Sequence, residues 1–147
     1  MLARDLDDPD FPTVTLDDDA AAVVRLLAEH RLPGVVVLGR DGGPHSVLPG
    51  SQVLRFLIPS YVQDDPALAR VYDERHGELI SAKLAGTAVR TLLRAERTEP
   101  PVVDGGATAL ETAAVMARLH SPLAAVTERE RYLGVITVSR LLDRMFG

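Results

Sequence analysis

Hydroxyl and cationic side chains cluster near the C-terminus, where an apolar run ends in "GVITVSRLL". Thr137 and Ser139 stand at this corner, and Arg140 follows as a helical pattern begins. A helix N-terminus offers free N–H groups and a positive dipole end, so such a corner suits a phosphate. A Thr hydroxyl adds a donor, and the Arg fork can bind a phosphate or carboxylate bidentately. The same residues have a structural interpretation, in which Thr137 caps the helix and Arg140 is solvated or pairs with Asp143 or Glu130.

Other side chains that could do chemistry show no pattern typical of an enzyme or a metal centre. There is no Cys, so disulfides and thiolate sites are excluded. The four histidines lack metal-ligand spacing, and we expect the N-terminal aspartates to be solvated. These residues are His30, His45, His76 and His120, and Asp5, Asp7, Asp8 and Asp10. We therefore predict no catalytic residue, no bound metal and no required cofactor.

Charge and hydropathy indicate in which compartment the chain is found and which classes of partner it can bind. The net charge is −5, with an excess of acids before residue 88 and a near balance after it. An acidic chain is a poor ligand for nucleic acid or for an anionic membrane. The acidic N-terminus lacks the order of a signal peptide, and no apolar run reaches the roughly 20 residues that span a bilayer. We expect a cytoplasmic protein with no nucleic-acid or membrane partner.

The chain resembles itself at an offset of 89 residues, which becomes 88 after a one-residue deletion. Matched pairs are Val14 with Val103, Ala20 with Ala109, Pro33 with Pro122, Val37 with Val126, and Ser51 with Ser139. In both halves the element order reads extended entry, helix, strand, strand, helix. We therefore predict a first repeat over 1–60, a joining insertion over 61–87 and a second repeat over 88–147.

Local signals predict where the elements begin. Asp17–Asp19 are expected to cap the first long helix, and Thr108 with Glu111 forms a capping-box pattern before its counterpart. Pro49 falls near the first turn of a helix. In the insertion, Asp64 or Asp65 is expected to cap a helix from Pro66 to about Glu74. "AGTAVRTLL" echoes "MLARDL" as the lead-in of the second copy.

These features resemble a pair of cystathionine-β-synthase (CBS) domains, called a Bateman module. The resemblance rests on "AAAVVRLLAEHRLPGVVVLGRDG" with "SVLPGSQVLRFL", and on "TALETAAVMARLHSPLAAV" with "LGVITVSRLLDRMF". It implies an α/β (α+β) fold of two βαββα-type units, packed through their sheets around a pseudo-two-fold axis. It also implies two inter-repeat clefts, where many members bind AMP, ADP, ATP or S-adenosylmethionine and regulate a partner protein.

The resemblance assigns the site residue by residue, and the sequence departs from it. Thr137 keeps the phosphate position, but the ribose-gripping acid is replaced by Arg140 and, in the first copy, by Gln52. The usual strand Pro is Val36 or Ala125, and Pro49 replaces the first copy's hydroxyl, which makes that corner the poorer candidate. The candidate ligand contacts are Thr137, Ser139, Arg140, Ala125, Val103, Gln52 and Ser51.

The predicted function is a stand-alone, non-catalytic module that senses an adenine-nucleotide-like or other anionic ligand and signals to an unidentified protein. Helices such as "AVVRLLA" and "TAAVMARL" are apolar on more than one face, which favours a homodimer. The alternative is a ligand-free dimerising scaffold that binds a partner protein. The loss of both ribose acids and both strand prolines supports that alternative.

Overall fold

The computed structural model describes residues 1–72, 74–93 and 99–147 and contains two similar α/β units. In the first unit the elements are β1 (Thr13–Thr15), α2 (Ala20–Glu29), β2 (Gly34–Leu38), β3 (Pro44–Pro49) and α3 (Gly50–Leu57). In the second they are β4 (Val102–Asp104), α7 (Ala109–Leu119), β5 (Leu123–Glu128), β6 (Arg131–Thr137) and α8 (Val138–Phe146). The predicted order of elements in the two repeats is confirmed.

Each unit has a three-stranded sheet with the same topology, in the orders β1-β2-β3 and β4-β5-β6. The first pair in each sheet is parallel and the second is antiparallel. Apolar residues fill the middle strands because both of their faces are covered. The two sheets meet in a shared core that includes Val36 from β2 and Ala125 from β5. The predicted tandem packing of two units through their sheets is therefore confirmed.

Two short helices, α1 (Ala3–Leu6) and α6 (Val89–Leu92), lead into the repeats but pack crosswise. Ala3 and Leu6 are buried in the core of the second unit, whereas Val89 and Leu92 are buried in the core of the first. The chain therefore ties each repeat to the lead-in of the other.

The backbone hydrogen bonds of the two crossings match. Ala3 N donates to Ala107 O at 2.7 Å, and Val89 N donates to Asp18 O at 2.9 Å. Isolated bridges join Leu2 to Thr108 and Asp19 to Ala88. The crossing is thus built twice, which extends the pseudo-two-fold relation from the sheets to the lead-in helices.

The predicted helix caps are only partly present. Thr108 Oγ1 accepts from Glu111 N at 3.1 Å, as the capping pattern predicts. Asp19 occupies the N-cap position of α2 without a side-chain cap bond. The Asp18 carboxylate instead accepts from Thr15 N and Thr15 Oγ1, at 2.8 and 3.0 Å. The N-cap thus lies within the predicted Asp17–Asp19 stretch, at Asp19, whereas Asp18 stabilises the turn after β1.

Within the joining insertion, the predicted helix from Pro66 to about Glu74 is a 3₁₀ helix that ends at Val71. The insertion contains α4 (Ser60–Asp64), the 3₁₀ helix (Pro66–Val71) and α5 (Glu74–Ala82). Asp65 stands at the N-cap position of the 3₁₀ helix without a side-chain cap bond. The segment after Pro66 forms 3₁₀ turns, which are tighter than α-helical turns and seldom extend far. Every helix in the described ranges is too short or too polar to cross a membrane.

Candidate ligand cleft

The Thr137 corner lies at the junction of β6 and α8, where the sequence places it. Thr137 Oγ1 accepts a hydrogen bond from Arg140 N at 3.1 Å and lies 3.1 Å from Ser139 Oγ. The hydroxyl therefore satisfies one of the free N–H groups that begin α8. In this structure Thr137 acts as a helix cap.

The chain's own N-terminal segment pairs with β6 two residues before this corner. Asp8 pairs with Val135 through two backbone hydrogen bonds of 2.8 and 3.1 Å, along the outer edge of β6. A Cβ added to Gly134 would lie 2.6 Å from Asp8 O, so only glycine permits this close approach. The segment that follows α1 thus takes part of the space beside the corner.

Negative charge collects beside the same corner. Burial, the largest effect, raises the pKa of Asp7, and the neighbouring Asp8 raises it further while Arg140 opposes the shift. Burial, with Asp7 and Asp8 nearby, raises the pKa of Tyr132 to about 12. The Tyr132 hydroxyl is buried and has no hydrogen-bond partner in the described part of the chain. Asp7 and Asp8 therefore place negative charge near β6, which disfavours the approach of a phosphate there.

The corner between β3 and α3, in the first repeat, opens onto a cleft of about 1270 Å³. Its lining comes from both repeats: Pro33, His45, Ser46, Val47, Pro49, Ser51, Gln52, Arg55, Leu93, Glu99, Pro100, Pro101, Arg118, Leu119, His120, Ser121 and Pro122. Residues 94–98, which connect Leu93 to Glu99, lie outside the described part. Ser51 and Gln52 of the predicted site therefore line an inter-repeat cleft.

The lining residues combine apolar surface, hydrogen-bonding groups and positive charge. Prolines from both repeats form apolar surface suited to a flat base or a hydrocarbon. Arg55, on α3, and Arg118, in the last turn of α7, contribute cations from opposite repeats, and Glu99 is the one acid in the described lining. Such a combination can hold an amphipathic anion, with Arg binding phosphate or carboxylate oxygens.

Repeat-equivalent positions in the two units carry opposite charge. The residue 89 positions before Arg118 is Glu29, and the residue 88 positions after Arg55 is Asp143. Glu29 ends α2 and Asp143 lies on α8, and both side chains are exposed. The two cations of this cleft are therefore acids at their matching positions, Glu29 in the first repeat and Asp143 in the second.

The two positions at which the resemblance predicts a ribose-gripping acid share a different contact. Gln52 Nε2 donates to Leu92 O at 3.3 Å, and Arg140 Nε donates to Leu6 O at 3.2 Å. Leu92 and Leu6 are the last residues of α6 and α1. Both side chains thus hold the C-terminal carbonyl of the lead-in helix that crosses onto their repeat.

The remaining predicted site residues are packed into protein cores. Val103, on β4, lies in the core of the second repeat, and Ala125, on β5, lies in the core between the sheets. Both side chains are almost fully buried. The predicted residues thus divide among the cleft, the Thr137 corner and the cores.

Sequence reasoning passed over the two arginines and over His45 and His120 as cleft residues. His30 and His120 occupy the C-cap positions of α2 and α7. The sequence carries one signal for the arginines, which is the reversal of charge between matching repeat positions. No group of three or more His, Asp or Glu residues in the described ranges is placed to hold a metal.

Two crossed α/β repeats, joined through their sheets beside a cleft lined by both, define a tandem-repeat module. The CBS domain model matches residues 3–58 and 89–147, so the chain belongs to the CBS domain family. The predicted family is confirmed.

Solved structures show the same fold over the whole chain. A CBS-domain-containing protein from Kribbella flavida is 52% identical, with 100% of this chain and 99% of that chain covered and a TM-score of 0.84. CBSX2, solved in complex with AMP, is 15% identical, with 98% and 95% covered and a TM-score of 0.69. Hypoxic Response Protein I, solved with two coordinated zinc ions, is 18% identical, with 100% of both chains covered and a TM-score of 0.69. No curated protein sequence matches the chain.

Proposed function

We propose that the chain is a non-catalytic regulatory module that binds a small anionic ligand, adenine-nucleotide-like, in the first repeat's cleft and signals to a partner protein. The observation that carries this proposal is the charge of the cleft. Arg55 and Arg118 enter it from different repeats in a chain whose net charge is −5. A ligand held by both arginines would link the two repeats, and this link supplies a route for the signal.

The chemistry of the cleft defines the expected ligand. Guanidinium forks favour phosphate or carboxylate oxygens, and the proline-rich surface favours an apolar or aromatic group. Gln52 replaces the acid that would grip a ribose, so we expect the anionic group to supply most of the binding energy. The AMP bound in the structure of CBSX2 supports an adenine nucleotide as the first ligand class to test.

Calorimetric titration of the whole chain with AMP, ADP, ATP and S-adenosylmethionine tests the proposal, with adenosine as the uncharged control. We expect sub-millimolar binding of at least one nucleotide and weaker binding of adenosine. Arg55→Gln should weaken nucleotide binding by about tenfold, because a hydrogen bond to a charged group is worth roughly 1.5–3 kcal/mol. The matched control is Arg25→Gln, an exposed change on α2 outside the cleft. The proposal fails if no anion binds, or if the two variants behave alike.

We also propose that the chain forms a homodimer through the exposed apolar stripe of α8. Val138, Leu142 and Phe146 are spaced by four residues along this helix, and all three are exposed. Leu54 of α3, at the repeat position that matches Leu142, is exposed as well. An apolar face at the same place in both repeats fits a second copy of the same chain, since a two-fold dimer pairs like surfaces.

Light scattering at micromolar concentration measures this assembly directly. The wild-type mass should be that of two chains, and Leu142→Asp should shift it to one chain because a charge on the stripe would be buried without a partner. Val71→Asp is the matched control, since Val71 is an exposed apolar residue of the joining insertion. A wild-type monomer, or a dimer that Leu142→Asp leaves intact, would contradict the proposed interface.

The second candidate function is a dimerising scaffold that binds a partner protein without a ligand. It is favoured by Gln52 and Arg140, which hold the lead-in helices at the positions where the resemblance predicts ribose contacts. The titration separates the two candidates, because a scaffold would show no saturable binding of any nucleotide.

A further inference from the structure

The two charged groups of the cleft that face each other are Arg118 and Glu99. Arg118 Nη1 and Nη2 donate to the two Glu99 carboxylate oxygens, each at 3.0 Å. Arg118 belongs to α7, whereas Glu99 precedes the Pro100–Pro101 step into β4. Pro101 O accepts from Ala125 N at 2.8 Å, so the backbone just after Glu99 is anchored to the second sheet.

This bidentate arrangement has the geometry with which an arginine binds the oxyanion of a ligand. A carboxylate and a phosphate both present paired oxygens to the guanidinium fork. Glu99 therefore occupies, with its own oxygens, the donor pair that an incoming anion would use. The anion and Glu99 cannot both engage that edge of Arg118.

The pair is also weak enough to be displaced. The side chains of Arg118 and Glu99 are 59% and 57% exposed, and exposed ion pairs contribute little to stability because water and salt screen them. The matching positions, 89 residues earlier in the first repeat, are Glu29 and Asp10, and two acids cannot form such a pair. Of the two matching places, only the cleft beside β3 and α3 therefore carries an arginine–glutamate ion pair.

Resting on the proposed anion-binding function, we propose that Glu99 is a built-in competitor for Arg118. Its carboxylate holds the guanidinium bidentately, and the oxyanion of the ligand binds by replacing that carboxylate. The competitor sets the ligand concentration at which the cleft responds. It also releases Glu99, next to β4, whenever an anion binds.

Titration with inorganic pyrophosphate and with AMP, at one fixed ionic strength, tests this with three full-length variants. Glu99→Gln removes the competitor and should tighten binding of both probes by about two- to fivefold, the range expected for an exposed pair. Glu99→Asp keeps the charge but shortens the side chain that reaches Arg118, and it should also tighten binding. Arg118→Gln should weaken binding by about tenfold.

The outcomes separate this proposal from the proposed function. If the wild type binds but Glu99→Gln and Glu99→Asp keep its affinity, Glu99 does not compete and the sensor function stands. If only Glu99→Gln tightens binding, the effect is the general field of a carboxylate, and the competitor is again rejected. An Arg118→Gln variant with wild-type affinity would exclude Arg118 as the anion ligand. If neither probe binds any form of the chain, the competitor is rejected, and the sensor function is then decided by the titration with ADP, ATP and S-adenosylmethionine.

Discussion

Positions 52 and 140 show how a departure from a family pattern can have a structural cause. Gln52 and Arg140 both donate to the last carbonyl of a crossing helix, which an acid could not do because a carboxylate only accepts. That carbonyl has no partner within its own helix. The residue type at each position is therefore explained by the helix it holds.

Thr137 and Ser51 occupy related corners but do different things, which gives the first prediction. Thr137→Val should lower the free energy of unfolding by about 1 kcal/mol, because it removes the cap of α8. Ser51→Ala should change stability little, since α3 has no side-chain cap and Ser51 is exposed. Urea denaturation measures both variants. In nucleotide titration we expect the larger effect from Ser51→Ala, which should bind the nucleotide more weakly than Thr137→Val. A Thr137→Val variant that keeps full stability and loses binding would contradict this assignment.

The Tyr132 hydroxyl gives a prediction about alkaline pH. Its pKa is raised to about 12, so the folded chain keeps this proton at pH values where the unfolded chain, with a tyrosine pKa near 10, has released it. The unfolded state is then favoured progressively as pH rises from about 10 toward 12. Tyr132→Phe removes the effect, so the stability advantage of the variant over the wild type should grow across that window. Near neutral pH, removing a buried hydroxyl that lacks a partner should raise stability by up to about 1 kcal/mol.

Denaturation of the wild type and of Tyr132→Phe, at pH values from 7 to 12, provides the measurement. The other titrating groups are common to both proteins, so the difference between them isolates Tyr132. Two parallel curves would show that the hydroxyl titrates normally.

At the scale of elements, the strands and long helices could be predicted from the sequence, because their apolar patterns match a period of 2 or 3.6. "PGVVVLG" and "PLAAVTE" are β-branched or small-residue runs bounded by turn residues, and they form β2 and β5. The joining insertion was harder to predict, since its apolar residues, such as Val71 and Leu79, are exposed. Where apolar residues are not buried in a core, their spacing does not predict a helix or a strand reliably.

The sequence shows that the lead-in helices α1 and α6 are equivalent elements. It does not show which repeat each of them packs against. The similarity of "MLARDL" to "AGTAVRTLL" indicates two equivalent elements, whereas only long-range packing decides which repeat each one covers. Leu6 and Leu92 are buried in the repeat opposite to the one that each precedes. Contacts of that kind leave no trace in local periodicity.

The crossing of α1 and α6 predicts which repeat each of their buried leucines stabilises. Leu6→Ala and Leu92→Ala should each cost about 2–5 kcal/mol, because each deletes a fully buried leucine side chain. Native-state amide hydrogen exchange shows which repeat loses stability in each variant. Leu6→Ala should speed exchange first in β4 to β6, and Leu92→Ala first in β1 to β3. Loss of protection in the repeat that directly follows the mutated helix would show that the lead-ins do not cross.

In the molecule as a whole, the proposed ligand binding depends on how the two repeats pack against each other. The cleft takes its lining from both units, and its two arginines come from different units. The sequence could predict that two clefts exist by resemblance. The better-preserved copy of the sequence pattern predicts a site at the Thr137 corner, whereas the site proposed from the structure is the cleft at the corner between β3 and α3. The pairing of Asp8 with Val135 depends on the crossing of α1, so local sequence could not show it.

The core between the sheets offers a test of this dependence. Ala125 is almost fully buried there with Val36, its repeat-equivalent residue. Ala125→Leu adds side-chain volume at the contact of the two units and should lower stability by about 1–3 kcal/mol. It should also weaken nucleotide binding in the cleft, although Ala125 does not line it, because the arginines of the two units would move relative to each other.

The same change at Ala28, which is exposed on α2, should leave both properties near the wild type. Thermal denaturation and calorimetric titration of the two variants decide the matter. If Ala125→Leu lowers stability while nucleotide affinity is unchanged, the cleft does not depend on the packing between repeats, and a ligand could not signal through it.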